Sequence, residues 1–133
     1  IAFVLLGLVY VSVMEQLYPD LVPTSVPDEM TAPDVRVLSF VIVVLAAPIV
    51  EEIFFRGFLF RGLLATQGLW PAALISAALF AATHLDPSLF GPAFIAGMLF
   101  ALVYWRTGSV WPTILAHTAQ NAIAFALGVF DLA

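Results

Sequence analysis

Cysteine and lysine are both absent from the 133 residues, and charged side chains of every kind make up only 10% of them. Without cysteine there is no disulfide framework, no thiolate nucleophile and no cysteine-based metal site. The four cations are all arginine, set against nine acids for a net charge of −5. They form no basic cluster, which argues against a nucleic-acid partner. A soluble domain carries about a quarter charged residues, and one of this length cannot hide 63% apolar residues inside its own volume. Disorder is excluded because disordered chains are polar. What the sequence does have is long apolar runs, and the class that accommodates them is a polytopic membrane protein.

A spanning segment must satisfy its backbone polar groups internally, and the alternating patterns of a barrel are missing. The expected fold is therefore all-α, a polytopic transmembrane helix bundle with four complete spans plus a truncated N-terminal one. Residues 1–18 read as that truncated helix. The apolar run from Ile1 to Met14 is shorter than the ~20 residues a span needs, and it lacks the basic flank and cleavage site of a signal peptide. Residues 19–35 read as an aqueous loop, because Pro19, Pro23, Pro27 and Pro33 alternate there with Asp20, Asp28, Glu29 and Asp34. Residues 36–131 form the core. Helices are expected from Val37 to about Leu64, from Gly68 to Leu85, from Leu89 to Trp105, and from a Ser109 cap to about Phe130. Trp70-Pro71 and Trp111-Pro112 place proline in the first turn, where its missing N–H costs nothing. Arg61 and Arg106 then share one side, cytoplasmic by the positive-inside rule. The Pro-rich loop, Asp86 and Asp131 lie on the other, with Arg36 opposing the assignment.

Ionisable groups within spans are expensive and mark sites by default. Here they are Glu51, Glu52, Arg56, His84 and His117, with Asn121 beside them. At about 100° per residue, Glu51 and Glu52 cannot face the same way. Arg56 follows Glu52 by four positions, the favourable order for an ion pair on one face. Glu51 has no such cation, so its partner must come from another helix; an imidazole there would let the pair hold and activate a water. The plainer alternative is that the acids and the arginine only hold helices together, or that Arg56 snorkels. His117 and Asn121 share a helix face and offer N–H donors suited to an oxyanion, or equally to interhelical hydrogen bonds. At about 1.5 Å per residue, His117 counts nearer the cytoplasmic end than His84, so convergence requires tilted or unequal helices.

Taken together, Glu-Glu-x-x-x-Arg, then Phe-x-x-x-His, then His-x-x-x-Asn, each on its own apolar helix, closely resemble the CAAX-processing and bacteriocin-processing (CPBP) family of intramembrane proteases, which includes the Ras-converting CAAX endoproteases. The resemblance extends through Glu-Glu-Ile-Phe-Phe-Arg-Gly-Phe-Leu and Gly-Ser-Val-Trp-Pro-Thr-Ile-Leu-Ala-His, from about Val37 to Phe130. It implies that Glu51 is the catalytic glutamate and that His84 is its partner in activating water. It further implies that His117 and Asn121 complete the site and steady the oxyanion, with Glu52 and Arg56 as a supporting pair.

The function expected is thus an intramembrane endopeptidase acting on a peptide or protein substrate in a bacterial or archaeal cell membrane. Two alternatives stay open: a catalytically silent immunity or scaffold protein, and a transporter in which Glu51 and the histidines carry protons or metal ions. No cofactor is favoured. Zinc is the alternative, with Glu51, His84 and His117 as its ligands. Against it, the usual pair of histidines four apart with a glutamate between them is absent, and a zinc-bound Glu51 would leave no obvious general base.

Overall fold

The computed structural model describes residues 9–10, 12–13, 16–17 and 32–129. The truncated helix expected over 1–18 and the loop over 19–35 lie outside the described residues apart from those positions, as does the chain from Phe130 onward. Four helices follow: α1, Arg36–Gln67; α2, Leu69–Ala82; α3, Pro87–Thr107; and α4, Trp111–Val129. No strand occurs among the described residues. Two of the helices, α1 and α3, are long and apolar enough to cross a membrane, whereas α2 is a shorter apolar helix of 14 residues. The other, α4, has 19 residues, but His117, Gln120 and Asn121 interrupt its apolar character.

Each boundary has a local cause. Gly68 separates α1 from α2 at φ 78°, a backbone open to glycine and strained for other residues. The second helix was expected to reach Leu85 but stops at Ala82. His84 and Leu85 turn back through N–H bonds to the carbonyls of Ala81 and Ala82, and Leu85 itself takes a positive φ of 54°. The third begins at Pro87, two residues before the expected Leu89. Asp86 caps it, its carboxylate accepting from the Ser88 N–H at 2.8 Å and the Ser88 hydroxyl at 2.6 Å, and Pro87 fills the first turn. Left-handed Gly108 ends it. At the start of α4, the Ser109 hydroxyl accepts from the Trp111 N–H at 3.3 Å.

Short connections make consecutive helices antiparallel neighbours. The closest packing is between α2 and α3, where Ala72 and Ala73 cluster with Ala101, Ala81 with Ala93, and Ala77 lies against Gly97. Small residues let two backbones approach when no hydrophobic force drives helices together in lipid. A methyl group on Gly97 would lie 2.9 Å from both Cα and Cβ of Ala77. Gly97→Ala is therefore expected to destabilise the protein by about 1–3 kcal/mol through overpacking. Thermal unfolding in detergent checks this, and adding Ala77→Gly should restore little of the loss, because the clash with the Ala77 Cα remains.

α1 is not a uniform helix. Two π-helical stretches, Phe40–Ala46 and Ile53–Phe60, flank the α-helical Ala47–Glu52. Such stretches are rare and are frequently found at functional sites. Side chains from other helices bond to a carbonyl in each: the Ser76 hydroxyl donates to Phe55 O at 3.2 Å, and the Asn121 amide to Val43 O at 2.9 Å. α4 lies against the first half of α1, and α2 against the second. Val110, just before α4, approaches Gly57, and Phe60 meets Tyr104 edge-on at 5.9 Å. The fourth helix therefore starts level with the middle of the second π-helical stretch, well short of the end of α1 at Gln67. This offset lifts His117 to the level of Glu51 and Glu52, and short α2 leaves His84 at the same depth. Unequal, offset helices thus reconcile the depths that residue counting set apart.

Candidate active site

Glu52 and Arg56 are fully buried and form an ion pair of 2.8 Å, as their i, i+4 spacing allows. The pair reaches two further helices. Arg56 donates through Nη2 to the Gly97 carbonyl of α3 at 3.2 Å, and its guanidinium lies 4.5 Å from the Phe80 ring centroid and 5.2 Å from that of Phe100. Glu52 Oε1 also accepts from His117 Nδ1 of α4 at 3.0 Å. The arginine thus does not snorkel but sits at the centre of the bundle. Glu52 Oε2 and Arg56 Nε have no hydrogen-bond partner among the described residues.

The Glu52–His117 bond was not visible in the sequence, where the two residues stand 65 positions apart. It has a chemical consequence. An imidazole that donates from Nδ1 keeps Nε2 as its remaining site, an acceptor while the ring is neutral. His84 is held the same way, its Nδ1 donating to Phe80 O at 3.1 Å, one turn earlier. Both imidazoles therefore have Nε2 available for chemistry.

Glu51 faces away from this buried centre. Its side chain is 34% exposed while that of Glu52 is 0% exposed, so adjacent acids occupy opposite environments. Glu51, His84, His117 and Asn121 line one cavity of about 350 Å³, walled by Val43, Ala47, Ala124 and Phe125. A second cavity, of about 320 Å³, lies on the α2 side of Glu51 and His84, against Val50, Phe54, Phe55 and Thr83. Glu51 and His84 border both. The imidazole nitrogen facing Glu51 is His117 Nε2, 3.8 Å from Oε2, too long for a hydrogen bond. No hydrogen bond or ion pair joins Glu51 to His84 among the described residues; the two share the walls of both cavities.

Two imidazoles and a carboxylate, the donor types of a zinc site, border one cavity. No group of three or more histidine and acidic side chains is gathered closely enough to hold a metal ion among the described residues. His117 Nδ1 is bonded to Glu52 and His84 Nδ1 to a backbone carbonyl, which leaves both Nε2 atoms free, as in a histidine that ligates a metal.

A bundle of apolar helices with carboxylates, imidazoles and a carboxamide gathered around an internal cavity is a membrane protein with a polar site among its helices. Residues 33–123 match the family described as Type II CAAX prenyl endopeptidase Rce1-like, and the chain belongs to that family. It is also 33% identical over 84 residues to a Bacillus subtilis (strain 168) protein described as "Putative membrane peptidase YdiL". That alignment covers 63% of this chain and 34% of the relative, so the matched segment spans about a third of the relative's length. No solved structure matches the chain.

Proposed function

We propose that the protein is an intramembrane endopeptidase in which Glu51 acts as general base on a water. The observation that carries this reading is the contrast between the two acids. Glu52 is sealed against Arg56 and His117, while Glu51 opens onto a cavity shared with His84, His117 and Asn121. A water held between Glu51 and His84 Nε2 loses a proton to the carboxylate as its oxygen attacks the peptide carbonyl carbon. The carbonyl oxygen becomes the oxyanion, and Glu51 returns the proton to the departing amine as the C–N bond breaks. His117, when charged, donates Nε2–H to the oxyanion while Glu52 holds its other nitrogen. Asn121 gives one Nδ2 hydrogen to Val43 O and keeps its second for the same oxygen. Excluding bulk water from the cavity strengthens these interactions.

The same reading takes all four helices as spans, with Arg61 and Arg106 on the cytoplasmic side. It places the protein in a bacterial or archaeal cell membrane, which the Bacillus relative supports. The substrate is a peptide or protein. Whether it is prenylated is left to the test, which compares the proteomes of membranes with and without the active protein. New C-termini that vanish with Glu51→Gln support peptidase action, and their sequences define the substrate. Identical proteomes, together with no cleavage of peptides by the purified protein, would favour the silent scaffold.

No metal enters this scheme. Purified protein is expected to keep its cleavage activity after exhaustive dialysis against a chelator, with metal content well below one per chain. Activity lost on chelation and restored only by zinc, with stoichiometric zinc bound, would instead make Glu51, His84 and His117 ligands.

A further inference from the structure

Pro48 sits one turn before Glu52 and is fully buried. The π-helical stretch that precedes it closes on a bond from the Ala47 N–H to the carbonyl five residues earlier, Ile42 O. The next donor in that register would be residue 48 and the next acceptor Val43 O. Proline has no N–H to give. Its presence therefore leaves the Val43 carbonyl without the donor that this register would supply, in an apolar setting where an unpaired backbone group is costly. The Asn121 amide fills the gap, donating to Val43 O at 2.9 Å from α4.

We propose that Pro48 is a positioning residue that acts on the catalytic cavity through Asn121. By withholding an N–H, it makes the Val43 carbonyl available to a side chain from α4. That side chain is then pinned at one nitrogen beside Glu51, His84 and His117, with its second Nδ2 hydrogen directed by the first. The inference rests on the peptidase reading of the cavity, because positioning has a functional meaning only if Asn121 acts on a reacting group.

The test uses Pro48→Ala, which returns an N–H at the position facing Val43 O. Alanine is the best helix former and proline the worst, so this variant should fold and unfold at no lower a temperature than the parent. Pro48→Val, closer to proline in volume, guards against a packing defect. Asn121 is the only asparagine in the sequence, so selective labelling with ¹⁵N-asparagine gives one side-chain amide signal. In the parent its two protons should be well separated, one hydrogen-bonded and one not. In both variants they should move toward the values of an unbonded amide. Cleavage by the same preparations should fall about ten-fold or more in kcat, a fraction of the 10²–10³ that removal of an oxyanion donor costs, with KM changed by less than about two-fold. The double variant Pro48→Ala/Asn121→Ala should then cleave no more slowly than Asn121→Ala alone.

An asparagine signal unchanged in both variants overturns the proposal, whether or not the protein cleaves peptides. A signal that moves while kcat stays at the parent value overturns it too, leaving Pro48 a purely architectural residue. If the parent cleaves nothing while the signal moves, the peptidase reading has failed and the positioning role falls with it. The Val43–Asn121 bond would then stand by itself as a helix contact.

Discussion

Glu51→Gln is expected to abolish peptide cleavage, by about 10²–10⁴-fold in kcat, while the protein still purifies and unfolds near the parent temperature. The substitution removes a base and keeps volume. It also strands no partner: Glu51 is a third exposed to its cavity, and its nearest imidazole nitrogen is 3.8 Å away. Steady-state cleavage and thermal unfolding on the same preparation provide the check. Near-normal turnover, or a variant that fails to fold, would reverse the roles assigned to the two acids.

The opposite pattern is expected for the neighbouring pair. Glu52→Gln removes the charge paired with the buried Arg56, and Arg56→Gln removes the cation that compensates the buried Glu52 carboxylate. Removing one member of a buried ion pair costs about 3–5 kcal/mol, because the remaining charge keeps its desolvation penalty and loses its compensation. Both variants should show sharply reduced yield or a much lower thermal midpoint in detergent. The double variant Glu52→Gln/Arg56→Met should recover part of that loss, since no charge is left alone. Full stability in either single variant would mean that the pair contributes nothing to holding α1 against α3 and α4.

Some of this division was legible from residue spacing. An acid followed by an arginine four positions later, inside an apolar run, has one economical arrangement on a helix, and the ion pair at 2.8 Å adopts it. The neighbouring acid must then point elsewhere, because one residue is about 100° of helix. The same arithmetic had no access to His117 Nδ1 bonding Glu52, or to Asn121 reaching Val43 O, since each joins residues from separate helices. It also assumed a uniform α-helix, and α1 contains two stretches with a wider turn. Pro48 could be read as a helix irregularity, but not as the reason a carbonyl would await a side chain from α4.

Composition and pattern by themselves determined the environment and the cast: helices in an apolar medium, four segments separated by Gly68, Asp86-Pro87 and Gly108, and a short set of polar residues too costly to be incidental. These follow from backbone hydrogen bonding and local sterics, which act within a few residues. Tertiary structure decided which of those residues meet. The offset start of α4, the early end of α2 and the close α2–α3 contact at Gly97 bring His84, His117 and Asn121 to the depth of Glu51. Those offsets depend on how side chains from different helices pack, a property of pairs of segments that no single segment encodes.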